Sequence, residues 1–144
     1  MTDFGYSTLA TSEDETVFLP KSRPWNAPEH HFGEFKVVEA KKTDVYSFGM
    51  LCLWVLLGSM PIHRSSTKYM FDASTGPLTS LENLKYDDKV EHLANQLMEL
   101  VPLAGLNLEN RILLKEIFSW TVQRRPERRT SDLERVVGLL RNER

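Results

Sequence analysis

Apolar residues recur at helical spacing in four stretches of this chain, and nowhere do they alternate long enough to announce a strand. The most apolar stretch runs from Val45 to Leu57, interrupted by Ser47, and reads as a helix buried on all sides. Thr43-Asp44 stands before it, and a short oxygen-bearing side chain there can accept from free N–H groups. Gly58 is the expected stop. Asp88 and Glu91 have capping-box spacing, and Val90, Leu93, Ala94, Leu97, Met98 and Val101 form one stripe behind them. Pro102 and Gly105 end that helix. A third helix fits Glu109 to Val122, with Leu113, Ile117 and Trp120 on one side. A fourth begins at Ser131, with Glu134 as box partner, and buries Leu133, Val136, Val137 and Leu140.

Between these stretches the pattern fails. Residues 6–26 carry Ser, Thr, Glu and Pro with no apolar period, so they read as a loop. Pro20, Pro24 and Pro28 forbid a continuous helix there. Residues 59–86 read as loop with a short helix. The pattern therefore predicts a mainly α domain with a long N-terminal loop and no convincing strand.

Composition narrows the function classes. The 144 residues fit one domain, with 41% hydrophobic and 26% charged residues, as in ordinary globular proteins. A net charge of −2 gives no general pull toward nucleic acid or an anionic membrane. The Val45–Leu57 run is too short to cross a bilayer, which takes about 20 residues. Cys52 is the single cysteine, so no intramolecular disulfide forms, which suits a reducing, intracellular (cytoplasmic or nuclear) setting. Its neighbours Leu51, Leu53 and Trp54 predict a buried, inert thiol. His30, His31, His63 and His92 have no metal-ligand spacing with Cys52 or with acids, so no zinc site is read. Trp25, Trp54 and Trp120 have no basic residues interleaved and read as packing groups rather than a base-stacking surface.

Four short motifs carry the chemistry, in this order: Asp3-Phe4-Gly5, Trp25-Asn26-Ala27-Pro28-Glu29, Asp44-Val45-Tyr46-Ser47-Phe48-Gly49 and Arg125-Pro126-Glu127-Arg128-Arg129-Thr130. Each alone is weak. Their order and gaps together resemble the eukaryotic-type protein kinase catalytic domain, from its Asp-Phe-Gly motif through its large helical lobe. On that resemblance residues 1–29 are the activation segment and 30–144 the helical lobe.

The resemblance implies roles. Asp3 would hold the Mg²⁺ that bridges the ATP phosphates, Phe4 would belong with it to the activation segment, and Gly5 would let the loop swing. Ala27, Pro28 and Glu29 would close the activation segment. Glu29 and Arg129 would form a buried ion pair tying that segment to the helical core, with Arg128 as the nearest competitor. Asp44, at the head of the central helix, would accept hydrogen bonds from the catalytic-loop backbone. Ser22, three residues before Trp25, matches the position that favours Ser/Thr substrates, although Lys21 stands where the family often has Gly. Ser7, Thr8, Thr11, Ser12 and Thr16 are possible phosphosites, but Glu13-Asp14-Glu15 already supplies negative charge there.

The family reaction also needs a Gly-rich loop, a Lys paired with a helix Glu, and a catalytic loop with an Asp base and an Asn. None follows Asp3, and only Met1 and Thr2 precede it. The expectation is part of an ATP-dependent protein Ser/Thr kinase that is inactive as these 144 residues alone. Its partners would be the remaining N-terminal part of the domain and a protein substrate. Removing that part should bare apolar surface around Phe48, Leu51 and Trp54. The alternatives are a non-catalytic kinase-like binding module and a truncated or pseudokinase fragment.

Overall fold

A computed structural model of the chain describes residues 9–20, 22–58, 84–100 and 107–141. Two three-residue strands, β1 (Thr16–Phe18) and β2 (Glu34–Lys36), pair antiparallel with Val17 opposite Phe35. Four α-helices follow: α1 (Val37–Gly58), α2 (Val90–Leu100), α3 (Leu108–Thr121) and α4 (Leu133–Leu140). Short 3₁₀ turns cover Pro28–Phe32 and Pro126–Arg128. The four expected helices are present. The strands are a correction, since three residues are too few for a period of two to show in sequence.

The core gathers around α1. Tyr46, Met50 and Leu53 of α1 pack with Val90, Ala94 and Met98 of α2, Phe118 of α3, and Val122. Full burial of a side chain such as Phe118 or Leu53 stabilises the fold by about 1.5–3 kcal/mol. A second, smaller cluster joins Val17, Phe35 and Ala40, which fixes the β-ribbon against the first turns of α1. Alternation does the rest: only the central residue of each strand is buried.

Helix starts differ from the sequence expectation in instructive ways. α1 begins at Val37, so Thr43-Asp44 lies two turns inside it rather than at its head. Nothing in Val37-Val38-Glu39-Ala40-Lys41-Lys42 breaks a helix. Glu39 folds back to accept from the Lys36 N–H at 3.0 Å, and Glu15 O accepts from the Val37 N–H. Thr43 instead donates its hydroxyl to Ala40 O at 2.8 Å. Asp88 does not cap α2. Its backbone sits at φ 60°, and its carboxylate accepts from the Arg124 N–H at 3.0 Å. Glu91 accepts from Gln123 Nε2. Asn107 caps α3 by accepting from the Asn110 N–H at 2.8 Å. Asp132, not Ser131, caps α4, accepting from the Arg135 N–H at 3.1 Å.

The buried face of α3 is also rotated from the expected one. Ile117, Phe118 and Thr121 are buried, whereas Leu113 and Trp120 are half-buried, and the Arg135 guanidinium lies over the Trp120 ring at 4.4 Å. On α4, Val136 is buried and Leu133 and Val137 are half-buried.

Gly49 sets how closely α1 and α3 approach. A Cβ built there would stand 2.3 Å from Thr121 Oγ1 and 2.7 Å from Val122 Cγ1. Both contacts are too short, so only glycine permits this crossing. Gly49→Ala is expected to lower stability by about 1–3 kcal/mol through overpacking, despite alanine's better helix propensity. Urea denaturation checks this, and an unchanged or raised midpoint would refute it.

Candidate functional site

The segment after β1 is shaped before it meets the helices. Ser22 O accepts from the N–H groups of Trp25 (2.8 Å) and Asn26 (3.0 Å), which closes a turn. Ala27 is fully buried and Pro28 opens the 3₁₀ turn, as suits a residue without an N–H to satisfy. His30 N–H donates to Ala27 O at 3.1 Å. A buried lysine that sequence gave no sign of holds this turn from behind: Lys85 Nζ donates to Pro24 O and, at 3.0 Å, to Asn26 O. Trp25 meets Trp54 of α1 edge to face, with centroids 5.7 Å apart.

Glu29 is thereby aimed at Arg129. The guanidinium donates from Nη1 to Glu29 Oε1 and from Nη2 to Glu29 Oε2, the latter at 2.9 Å. Its remaining donors reach Gln123 O at 2.6 Å, Arg124 O at 2.9 Å and Lys42 O at 3.2 Å. The Tyr46 ring lies 4.7 Å below it. All five N–H groups of the fork are used, which is the condition under which a buried cation is tolerated. Arg128 is exposed and takes no part in this fork.

Arg129→Met is expected to cost roughly 3–5 kcal/mol, because Glu29 and three carbonyls lose their donors together. Arg129→Lys should recover little of it, since an ammonium has three donors for five acceptors. Equilibrium denaturation of both variants checks this; a lysine variant as stable as the parent would refute the bidentate account.

A pocket of about 680 Å³ opens between the β-ribbon, the Ser22–His30 segment and the first turns of α1. Val17, Leu19, Val37 and Ala40 form its apolar wall. Ser22, Asn26, His30, Asp44 and Ser47 form its polar side. Asn26 Oδ1 and His30 Nδ1 are buried beneath that lining without a hydrogen-bond partner. Lys41 also borders the pocket, its ammonium turned to Glu13 at 3.2 Å. Asp44 is exposed on this lining, and the protein atoms packed around it partly desolvate its carboxyl and raise it above the ordinary aspartate value.

A carboxyl raised in this way holds its proton to higher pH folded than unfolded. Its ionisation therefore lowers stability as pH rises through the carboxylate range. Asp44→Asn is expected to raise the melting temperature at neutral pH, with the gain shrinking toward pH 3, where the parent carboxyl is already protonated. Calorimetric melts at both pH values decide it; an equal gain at each would remove the electrostatic cause.

Asp3, Phe4 and Gly5, on which the Mg²⁺ expectation rests, lie outside the described residues, as do Ser7, Thr8 and Lys21. Ser22, Ala27, Pro28, Glu29, Asp44 and Arg129 lie within them. The structure joins Glu29 to Arg129 and places Ser22 and Asp44 on one pocket. Among the described residues no three His, Cys, Asp or Glu side chains gather as a metal site. No described helix is long and apolar enough to cross a membrane. Cys52 is half-buried, and burial pushes its thiol up to about 11, in keeping with an inert group. No family model, curated protein or solved structure matches the chain.

Proposed function

We propose that this chain is the large helical lobe of an ATP-dependent protein Ser/Thr kinase, beginning at the Asp-Phe-Gly motif. The observation that carries this reading is the Glu29–Arg129 clamp. Glu29 closes the segment that the resemblance marks as the activation segment, and Arg129 belongs to the motif before the last helix. They lie 100 residues apart and meet as a buried bidentate pair, as the resemblance implies. Gly49 adds support, since the last position of Asp44-Val45-Tyr46-Ser47-Phe48-Gly49 is the one that the α1–α3 crossing requires to be glycine.

On this reading Asp3 would bind Mg²⁺ and so position the ATP phosphates; no described residue bears on that step. Glu29 and Arg129 hold the activation segment on the helical core. Ser22 and Asp44 face one pocket, where Asp44 accepts hydrogen bonds from a docked polypeptide segment. The 144 residues hold no phosphate-covering loop, no phosphate-orienting Lys–Glu pair and no catalytic base of the family type. Positioning and charge stabilisation supply most of the rate in phosphoryl transfer, so these residues alone are inactive.

A non-catalytic binding module is the second reading. It is favoured by Leu51, Trp54 and Val55, which leave one side of α1 exposed at 45%, 43% and 54% of their surface. Phe48, expected with them, is half-buried. An apolar side of this kind on a central helix suits a macromolecular partner.

Transfer of labelled phosphate from ATP decides between the readings. The 144-residue chain is expected to show neither stoichiometric Mg-ATP binding by calorimetry nor transfer to a mixed protein substrate. A longer in-frame product containing it, with a Gly-rich loop, a Val-Ala-x-Lys-like strand and a His-Arg-Asp-like loop, is expected to phosphorylate Ser or Thr. Asp3→Asn in that product should abolish transfer. Stoichiometric ATP binding by the short chain would refute its predicted inactivity, and an Asp3→Asn product of full activity would refute the kinase reading.

A further inference from the structure

Two buried polar atoms beside the Asp44 pocket have no hydrogen-bond partner. Asp44 stands on that pocket as an exposed carboxylate that a ligand can reach. Asn26 Oδ1 is an acceptor without a donor. His30 is 5% exposed, and its Nδ1 also lacks a partner. In the neutral imidazole protonated at Nε2, that atom is a further acceptor. The cation on the lining, Lys41, pairs with Glu13 at 3.2 Å on the exposed surface. The opposite wall, from Val17, Leu19, Val37 and Ala40, is apolar. An occupant that suits both sides has several N–H donors, a positive charge and an apolar stem.

We propose that this pocket binds an arginine side chain presented by a peptide, with Asp44 as its charge partner and Asn26 Oδ1 and His30 Nδ1 as further acceptors. The guanidinium fork carries five donors in one plane and no acceptor, which matches a set of acceptors lacking donors. Its three methylenes lie along the apolar wall, as long cationic side chains do when their heads are bound. A volume of about 680 Å³ lies within the range of built ligand sites and leaves room for backbone on either side of the arginine. Asn26 Oδ1 and His30 Nδ1 lie beneath the lining, so each side chain turns about its last torsion to meet the guest. The inference rests on the reading of Asp44 as the acceptor for a docked polypeptide, and it names the group which that polypeptide presents.

Two capped tripeptides test it, acetyl-Gly-Arg-Gly-amide and its citrulline counterpart, which keeps the shape and loses the charge. Each is titrated to millimolar concentration into the full 144-residue chain, followed by the His30 ring and Asn26 amide resonances in NMR. The arginine peptide is expected to shift both, and the citrulline peptide to bind about tenfold more weakly, because charge-assisted hydrogen bonds are roughly twice as strong as neutral ones. Asp44→Asn should remove that difference, while Glu99→Gln, on the exposed Lys115 pair, should leave it unchanged. Equal binding of the two peptides, an undiminished preference in Asp44→Asn, or no shift at all would each overturn the inference. Phosphate transfer by a longer product is measured separately: transfer without arginine binding defeats this inference alone, and arginine binding without transfer leaves it standing while the kinase reading falls.

Discussion

Arg129 is the group on which the rest of the structure depends. Its guanidinium is buried, and a buried unpaired cation would cost several kcal/mol. Every one of its five donors must therefore find an acceptor, and those acceptors come from three places in the chain: Glu29, Lys42 of α1, and the Gln123–Arg124 link after α3. A side chain so demanding works as a register mark. It is satisfied only when the 3₁₀ turn, the central helix and the link after α3 all stand in one arrangement.

Other contacts make that arrangement reachable. Gly49 lets α3 approach α1 closely enough for residues 121 and 122 to lie on the helix surface. The next residues, Gln123 and Arg124, are then tied from the far side by Glu91 and Asp88. Their carbonyls are thus held out toward Arg129. The two acids that look like a capping pair for α2 are spent across the fold instead. Lys85 performs the matching task for the Ser22–Asn26 turn, grasping two of its carbonyls.

The helices were legible because α2 and α4 each carry one apolar stripe at helical spacing, while α1 contains one long apolar run. The Glu29–Arg129 pair was legible through motif order alone, since nothing local marks either residue as buried. The start of α1 was not legible. Thr43-Asp44 has the chemistry of a cap, but a cap is needed only where N–H groups are free, and Glu39 and Glu15 satisfy them earlier. The β-ribbon was hidden for a different reason: three residues per strand pair through backbone, and only Val17 and Phe35 bear a core side chain. Lys85 was hidden because its burial is dictated by carbonyls about 60 residues away, which no window of sequence contains.

The polar interior of this molecule is of two kinds, and the contrast separates scaffold from site. Around Arg129 every donor is matched, and short links of backbone and side chain close on one another. Beside the Asp44 pocket the reverse holds: Asn26 Oδ1 and His30 Nδ1 lie buried beneath the lining without a hydrogen-bond partner. Leaving a buried acceptor unpaired costs about 1–3 kcal/mol. A fold that meets five acceptors with one arginine yet leaves two buried acceptors unmatched nearby has, in effect, divided its polar groups by purpose. The matched set fixes the chain's shape. The unmatched set lies at the pocket, and the clamp holds in place the Ser22–His30 segment that forms one of its walls.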